Sequence, residues 1–214
     1  WESIPGTPTE TFRTHAVDPF KGNDSFGVRN PRAGSAAGIR QRGLFLREGQ
    51  RYRCTLFGSF QGRKSTVPAH LFDPARDKPP ETREVTVTLR SEAPDARPIA
   101  AATFALVATQ QEHAFEFSSG DFTGRASLEI GFRWEGTLRL SWCSLMPLDN
   151  RSGWRTDVVE LLRRVSPPII RFPGGCFASF YDWRDGVGPR AARPVRAAYR
   201  RGELEGNDIG IDEL

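Results

Sequence analysis

PPIIRFPGGCFASFYDWRDGVGPR, residues 167–190, carries most of the information in this chain. Ile169 and Ile170 lead through Arg171 to Pro173 and the pair Gly174-Gly175, the pattern of a buried strand that ends in a glycine turn. Pro173 cannot donate to a ladder, so the strand is expected to stop there. Paired glycines allow positive φ or a close backbone approach. Phe177, Phe180, Tyr181 and Trp183 then surround Asp182, Arg184 and Asp185. Apolar walls with a few fixed polar groups suit a sugar pocket. The plainer alternative is a strand-turn above a small hydrophobic cluster. The glycine pair matches neither the dinucleotide fingerprint nor the phosphate-binding loop.

Working outward, the flanking segments read as pieces of a β/α repeat. Asp157 is expected to cap a helix. Val158, Val159, Leu161, Leu162 and Val165 have helical spacing, with Arg163 and Arg164 near the C-terminal end, and Ser166-Pro167-Pro168 stops it. Helix, buried strand over Ile169–Phe172, glycine turn and a further helix form such a repeat. Ile209 to Leu214 reads as the beginning of another helix.

Upstream the period changes to two. Ile39–Leu46, the alternation of Tyr52, Cys54 and Leu56, and that of Val85, Val87 and Leu89 read as strands. So do Ile99–Val107, Ala114–Phe117, Ala126–Phe132 and Leu138–Trp142. Short strands between turn signals predict an all-β sandwich or barrel. Residues 1 to about 40 read as loops with one or two edge strands, and 61–82 as a polar, Pro-rich loop.

Composition narrows the functional classes. The chain has 214 residues, 38% hydrophobic, and a net charge of +4 that is scattered rather than patched. Nucleic-acid binding wants a basic patch with interleaved aromatics, and a membrane span wants a long apolar run; neither is present. Cys54, Cys143 and Cys176 are odd in number and far apart, with neither metal-ligand nor disulfide-framework spacing. The triplets Asn23-Asp24-Ser25 and Asn150-Arg151-Ser152 fit a glycosylation sequon that arises often by chance. The first residue is Trp and no signal pattern follows. Both ends read as cuts within a longer protein.

The C-terminal third resembles glycoside hydrolase family 51 α-L-arabinofuranosidases. The matching residues are Trp142–Pro147, Trp154–Val159, Arg171–Phe177, Tyr181–Arg190 and Arg193-Pro194, with a weaker match over Asn207–Leu214. The resemblance implies a multi-domain fold: a jelly-roll sandwich of the carbohydrate-binding-module type over residues 1–147, inserted after the first strand of the catalytic barrel, then the early part of a (β/α)8 barrel over 148–214. It implies a retaining hydrolase acting on terminal arabinofuranosyl groups of arabinan or arabinoxylan. No cofactor or metal is implied, and the parent protein is expected to be a homo-oligomer. A retaining mechanism needs two carboxyl groups about 5–5.5 Å apart. The family's two catalytic glutamates lie on later strands, and neither motif occurs here, so this chain alone is expected not to turn over substrate.

Within the segment, the resemblance places Arg171 against the nucleophile carboxylate and Gly175, Cys176 and Phe177 against the furanose ring. Trp183 either stacks on sugar or packs the loop. Asp182 and Asp185 are expected in loop ion pairs with Arg184 or Arg190 rather than in acid catalysis. Glu213 is expected on the following helix. After Arg193-Pro194 the family commonly has a cleft Trp; here Tyr199 is the candidate substitute. In the sandwich, Trp1 and Trp134 are either sugar platforms or core. Two alternatives stay open: a binding module with a scaffold tail, and an unrelated sandwich with a helical extension. The latter predicts that Pro167–Gly175 is unpaired.

Overall fold

A computed structural model of the protein describes residues 1–15, 24–61, 81–197 and 204–214. The chain divides into two compact units, with the break in sequence between Leu145 and Met146.

The first unit is a sandwich of two five-stranded sheets. Its strands are β1 (Glu2–Ser3), β2 (Glu10–His15), β3 (Asp24–Asn30), β4 (Ala37–Leu46), β5 (Arg51–Phe60), β6 (Arg83–Ser91), β7 (Pro98–Leu106), β8 (Gln111–Ser118), β9 (Gly124–Phe132) and β10 (Gly136–Pro147). One sheet runs β1-β4-β9-β6-β7 and the other β2-β3-β10-β5-β8. Every consecutive crossing of the first sheet is antiparallel.

The core follows from the alternation. Val85, Val87 and Leu89 of β6 point inward beside Leu128 and Ile130 of β9. From the other sheet come Val28, Leu56, Leu138 and Leu140, and all join one buried cluster. Burial of a side chain of this size contributes about 1.5–3 kcal/mol. Thr86 and Thr88, between these inward positions, are less buried or exposed. Cys54 lies in the core and its thiol is pushed up by a hydrogen bond with Cys143 and by burial. Trp134 packs on Phe132, with ring centroids 4.3 Å apart, and its indole donates to the Glu84 carbonyl at 2.9 Å. Trp1 is exposed.

The amino-terminal region is more regular than its loop-like composition suggests. β3 carries Gly27 and mostly polar residues, yet it sits between β2 and β10, with Val28 fully buried. Ala-rich β7 is a strand because it pairs along its length with β6. Most of the loop read over 61–82 lies outside the described residues.

The second unit contains one helix, α1 (Thr156–Val165). The strand expected over Ile169–Phe172 is not formed: these residues carry no ladder partner among the described residues. A parallel strand takes its hydrogen bonds from neighbours reached by crossovers, and no described strand lies beside it. Downstream, β11 (Arg196–Ala197) pairs with β12 (Leu204–Glu205), and Ile211–Glu213 forms a single 3-10 turn in place of the expected helix.

Candidate functional site

The predicted site residues lie in the second unit, and local chemistry explains their placement. Arg155, in extended backbone, precedes α1; Asp157 occupies the first turn rather than the cap position. Its carboxylate accepts the Val158 N–H at 3.0 Å and pairs with Arg155 at 2.6 Å. A carboxylate there complements the positive end of the helix dipole. Ser166 closes α1 at φ 49°, its N–H bonding the Leu162 carbonyl at 2.9 Å. Leu161, Leu162 and Val165 on α1 are exposed, as are Ile169 and Ile170 after it.

The chain then passes through Arg171, which is exposed and has no ion pair among the described residues. The Phe172–Pro173 peptide is cis. Gly174 and Gly175 both take positive φ, 85° and 60°. These are angles that glycine adopts without steric cost, so the turn predicted from the pair is present. Cys176–Ser179 continues as a 3-10 turn. Cys176 is exposed with a free thiol. Phe177 is half-buried and meets Tyr181 at 5.4 Å, while Phe172 meets the same ring edge-on at 5.6 Å.

The acid–base pairing of this segment is explicit. Asp182 accepts the backbone N–H of Arg184 at 3.0 Å and pairs with its guanidinium at 3.2 Å, as expected. Asp185 pairs with Arg196 at 2.8 Å, not with Arg184 or Arg190. That contact holds its carboxyl below the ordinary range. Both acids are therefore occupied in loop ion pairs. Trp183 is exposed, with the Arg184 guanidinium 5.5 Å from its ring centroid. It is not packed into the loop. Tyr199 lies outside the described residues.

Sequence reasoning missed the most densely bonded group in this unit. Arg193, with 1% of its side chain exposed, donates twice to Glu213, at 2.8 and 2.9 Å. It also donates to the carbonyls of Gly188 and Asn207, at 2.9 and 3.0 Å. Glu213 accepts the Gly210 N–H at 2.8 Å and a longer contact from Arg190 at 3.4 Å, and its carbonyl accepts the Trp154 indole at 2.7 Å. Arg193, followed by the Gly210 N–H and Arg190, holds the Glu213 carboxyl at about 2. Asn207 is fully buried and donates to the Pro194 carbonyl at 2.7 Å. Two glycines permit the close packing. A Cβ on Gly210 would lie 2.1 Å from the Gly186 carbonyl oxygen, and one on Gly186 would lie 2.3 Å from the Tyr181 hydroxyl. Arg193 and Glu213 are twenty positions apart and share no periodicity, so no local pattern announces them.

The structure thus brings Gly175, Cys176 and Phe177 into one turn and Phe172, Phe177 and Tyr181 into one aromatic cluster. Among the described residues Arg171 has no ion pair, and Trp183 meets the guanidinium of its neighbour Arg184. Among the described residues no group of three or more His, Cys, Asp or Glu side chains could hold a metal ion.

The described architecture is a two-sheet sandwich followed by a helix, a glycine turn and an ion-paired segment. The comparisons with known proteins are more specific. α-L-Arabinofuranosidase C of Emericella nidulans is 46% identical over 68 residues, 32% of this chain and 14% of that protein. An intracellular exo-α-(1→5)-L-arabinofuranosidase of Acetivibrio thermocellus is 47% identical over 65 residues, 30% of this chain and 13% of that protein. The chain therefore spans only a small part of the length of the curated relatives it matches. In three dimensions, an arabinose-bound GH51 α-L-arabinofuranosidase, MgGH51, superposes with a TM-score of 0.74 at 18% identity, covering 99% of this chain and 35% of that one. The CBM22-1–GH10 modules of a Clostridium thermocellum endo-1,4-β-D-xylanase, complexed with xylohexaose, superpose at 0.51 and 13% identity over 70% of this chain and 26% of that one. No family model matches. By sequence the chain is similar to curated α-L-arabinofuranosidases over about a third of its length, and by fold to MgGH51 over nearly all of it. The sandwich shares its architecture with carbohydrate-binding modules.

Proposed function

We propose that this chain is the jelly-roll module and the opening β/α segment of a retaining α-L-arabinofuranosidase that removes terminal arabinofuranosyl groups from arabinan or arabinoxylan. The observation that carries the reading is the 46% identity over 68 residues to a curated arabinofuranosidase. The exposed Leu161, Val165, Ile169 and Ile170 support it. They form the apolar margin that further barrel strands and helices would cover, with residues 148–214 as the early part of a (β/α)8 barrel.

The two reacting carboxyl groups come from polypeptide beyond these 214 residues. Asp182, Asp185 and Glu213 are each committed to an arginine. Arg171, free of such a partner, donates to the nucleophile carboxylate. A charge-assisted contact of this kind keeps the carboxylate ionised and aimed. Gly175, Cys176 and Phe177 line the furanose ring and Trp183 stacks on sugar; Tyr199, outside the described residues, takes the place of the family's cleft Trp. No step requires a cofactor, and the whole enzyme is a homo-oligomer.

The test is a chimera. Residues 148–214 replace the matching segment of the E. nidulans enzyme, and arabinose release from an aryl α-L-arabinofuranoside is measured. The expected result is retained activity, lost by 10²-fold or more in kcat on Arg171→Ala with KM less affected. A folded but inactive chimera, or one indifferent to Arg171→Ala, overturns the reading. The isolated 214-residue chain is expected to release no arabinose.

A further inference from the structure

One end of the β1-β4-β9-β6-β7 sheet carries two adjoining hollows, of about 490 and 560 Å³, which share Thr7, Ala36 and Arg133. Each falls within the size range of small-ligand sites. All of their lining residues belong to the sandwich. The function proposed above uses none of them.

The two hollows differ in chemistry. The first is bordered by Ile4, Thr86, Gly131 and Trp134. Thr86 pairs with Gly131 across β6 and β9, and Gly131 with Gly38 across β9 and β4; the space over Gly38 is filled by Ile4, whereas Gly131 lines the hollow. A Cβ on Gly131 would meet nothing closer than the Ala37 carbonyl at 3.6 Å, so this backbone is open to close approach. The Trp134 ring is held by Phe132 on one side and by the bond to the Glu84 carbonyl. A fixed aromatic beside open backbone and a hydroxyl suits a flat, polyhydroxylated ring. Charge here is balanced: Arg83 is paired with Glu81, and Glu84 also lines the hollow.

The second hollow is polar and lined by Gly6, Ser35, Arg32 and Arg133 among others. Neither arginine has a carboxylate partner among the described residues. Arg133 donates only to the Gly34 carbonyl, at 3.3 Å, and Arg32 makes no side-chain bond. Elsewhere in the sandwich, Arg29, Arg40, Arg51, Arg53 and Arg90 are ion-paired, while Arg13, Arg125 and Arg139 share the unpaired state among the described residues but line neither hollow. An unpaired arginine couple with a hydroxyl beside it is a receptor for a carboxylate, which guanidinium groups bind with directional hydrogen bonds.

We propose that the paired hollows bind an acidic oligosaccharide, with a neutral sugar ring over Gly131 beside Trp134 and the carboxylate of a uronic-acid branch between Arg32 and Arg133. The open side of both hollows admits a chain rather than a single enclosed molecule. Glu84 repels the carboxylate from the first hollow and so fixes the direction of binding. The proposal does not rest on the catalytic assignment, because it concerns equilibrium binding by the sandwich.

Calorimetric titration of the 214-residue chain tests it, using a xylo-oligosaccharide with one glucuronic-acid branch and the same compound with its carboxyl reduced to the alcohol. The acidic ligand is expected to bind at least tenfold more tightly, by a margin that shrinks as salt rises from 0.05 to 0.5 M, as screening of exposed charge requires. Arg32→Ala, at an exposed side chain, and Arg133→Lys should each remove most of that margin while leaving the circular dichroism unchanged. Trp134→Phe should weaken both ligands alike. Equal affinity for the two compounds, binding of neither, indifference to Arg32→Ala, or equally tight binding of inorganic phosphate would each overturn the proposal. These outcomes are read without catalysis and are independent of the chimera.

Discussion

Val85, Val87 and Leu89 have no accessible surface, whereas Ile169 and Ile170 keep 82% and 66% of theirs. The two runs are similarly apolar. The first belongs to a sandwich in which each inward row faces another sheet, and the second to a unit whose apolar side chains have no such layer among the described residues. What orders that second unit is polar: Arg193 and Glu213, Asp185 and Arg196, Asp182 and Arg184. A sandwich closes on itself with two layers. A β/α segment contributes to layers that it shares with later elements. The same hydrophobic effect therefore completes one unit and leaves the other to directional bonds.

Four experiments would break or sharpen this contrast. The largest effect is expected from Leu89→Ala, which leaves a void where both sheets meet. Such changes cost about 2–5 kcal/mol, and chemical denaturation followed by far-ultraviolet circular dichroism should show it. Arg193→Ala comes next. It strands a Glu213 carboxylate that is only 9% exposed, and breaking a buried pair costs about 3 kcal/mol or more. Amide exchange should accelerate over 186–214 and stay unchanged in β6 and β9; equal acceleration in both would show that the distinction is wrong.

Acid should act in the same place. The Glu213 carboxyl falls from its ordinary 4.5 to about 2 in the folded chain. A depressed carboxyl contributes stability that is complete above the unfolded pKa and lost as pH falls through the folded one. The indole N–H resonance of Trp154, bonded to the Glu213 carbonyl, should therefore hold its position above pH 5 and shift between about pH 4 and 2. The buried sandwich core contains no Asp or Glu among the described residues, and its methyl resonances should not follow. The smallest effect is reserved for Ile169→Ser. Surface substitutions usually lie within about 0.5 kcal/mol, and the exposure of Ile169 puts it in that class. A loss above 1 kcal/mol in thermal unfolding would show that this residue is covered in solution.

The sandwich was largely legible because its signal is local. The alternation of Val85, Val87 and Leu89 states both strand and face, whereas the alanines of β7 also suit a helix, and its pairing with β6 makes it a strand. β3 was less visible, since Ser25, Gly27 and Asn30 mask an inward Val28; its place was set by β2 and β10. The failure over Ile169–Phe172 has the opposite origin. The apolar run specifies a buried strand only when partners exist, and pairing is a property of other segments. The glycine turn after it was legible because positive φ is a local demand. The Arg193–Glu213 pair was not, because two charged residues twenty positions apart look like ordinary surface until the backbone folds them together. The unpaired run is also what an unrelated sandwich would show. The sequence match to arabinofuranosidases over a third of the chain and the fold match to MgGH51 over nearly all of it weigh against that alternative.

β10, the last strand of the sandwich in sequence, stands at the middle of its sheet, between β3 and β5. During synthesis the halves on either side must wait, unjoined, until the ribosome has delivered residues near 140. A premature stop or a protease cut before that point would therefore not trim the module. It would remove the keystone and leave two strand pairs, β2-β3 and β5-β8, with exposed edges that invite aggregation.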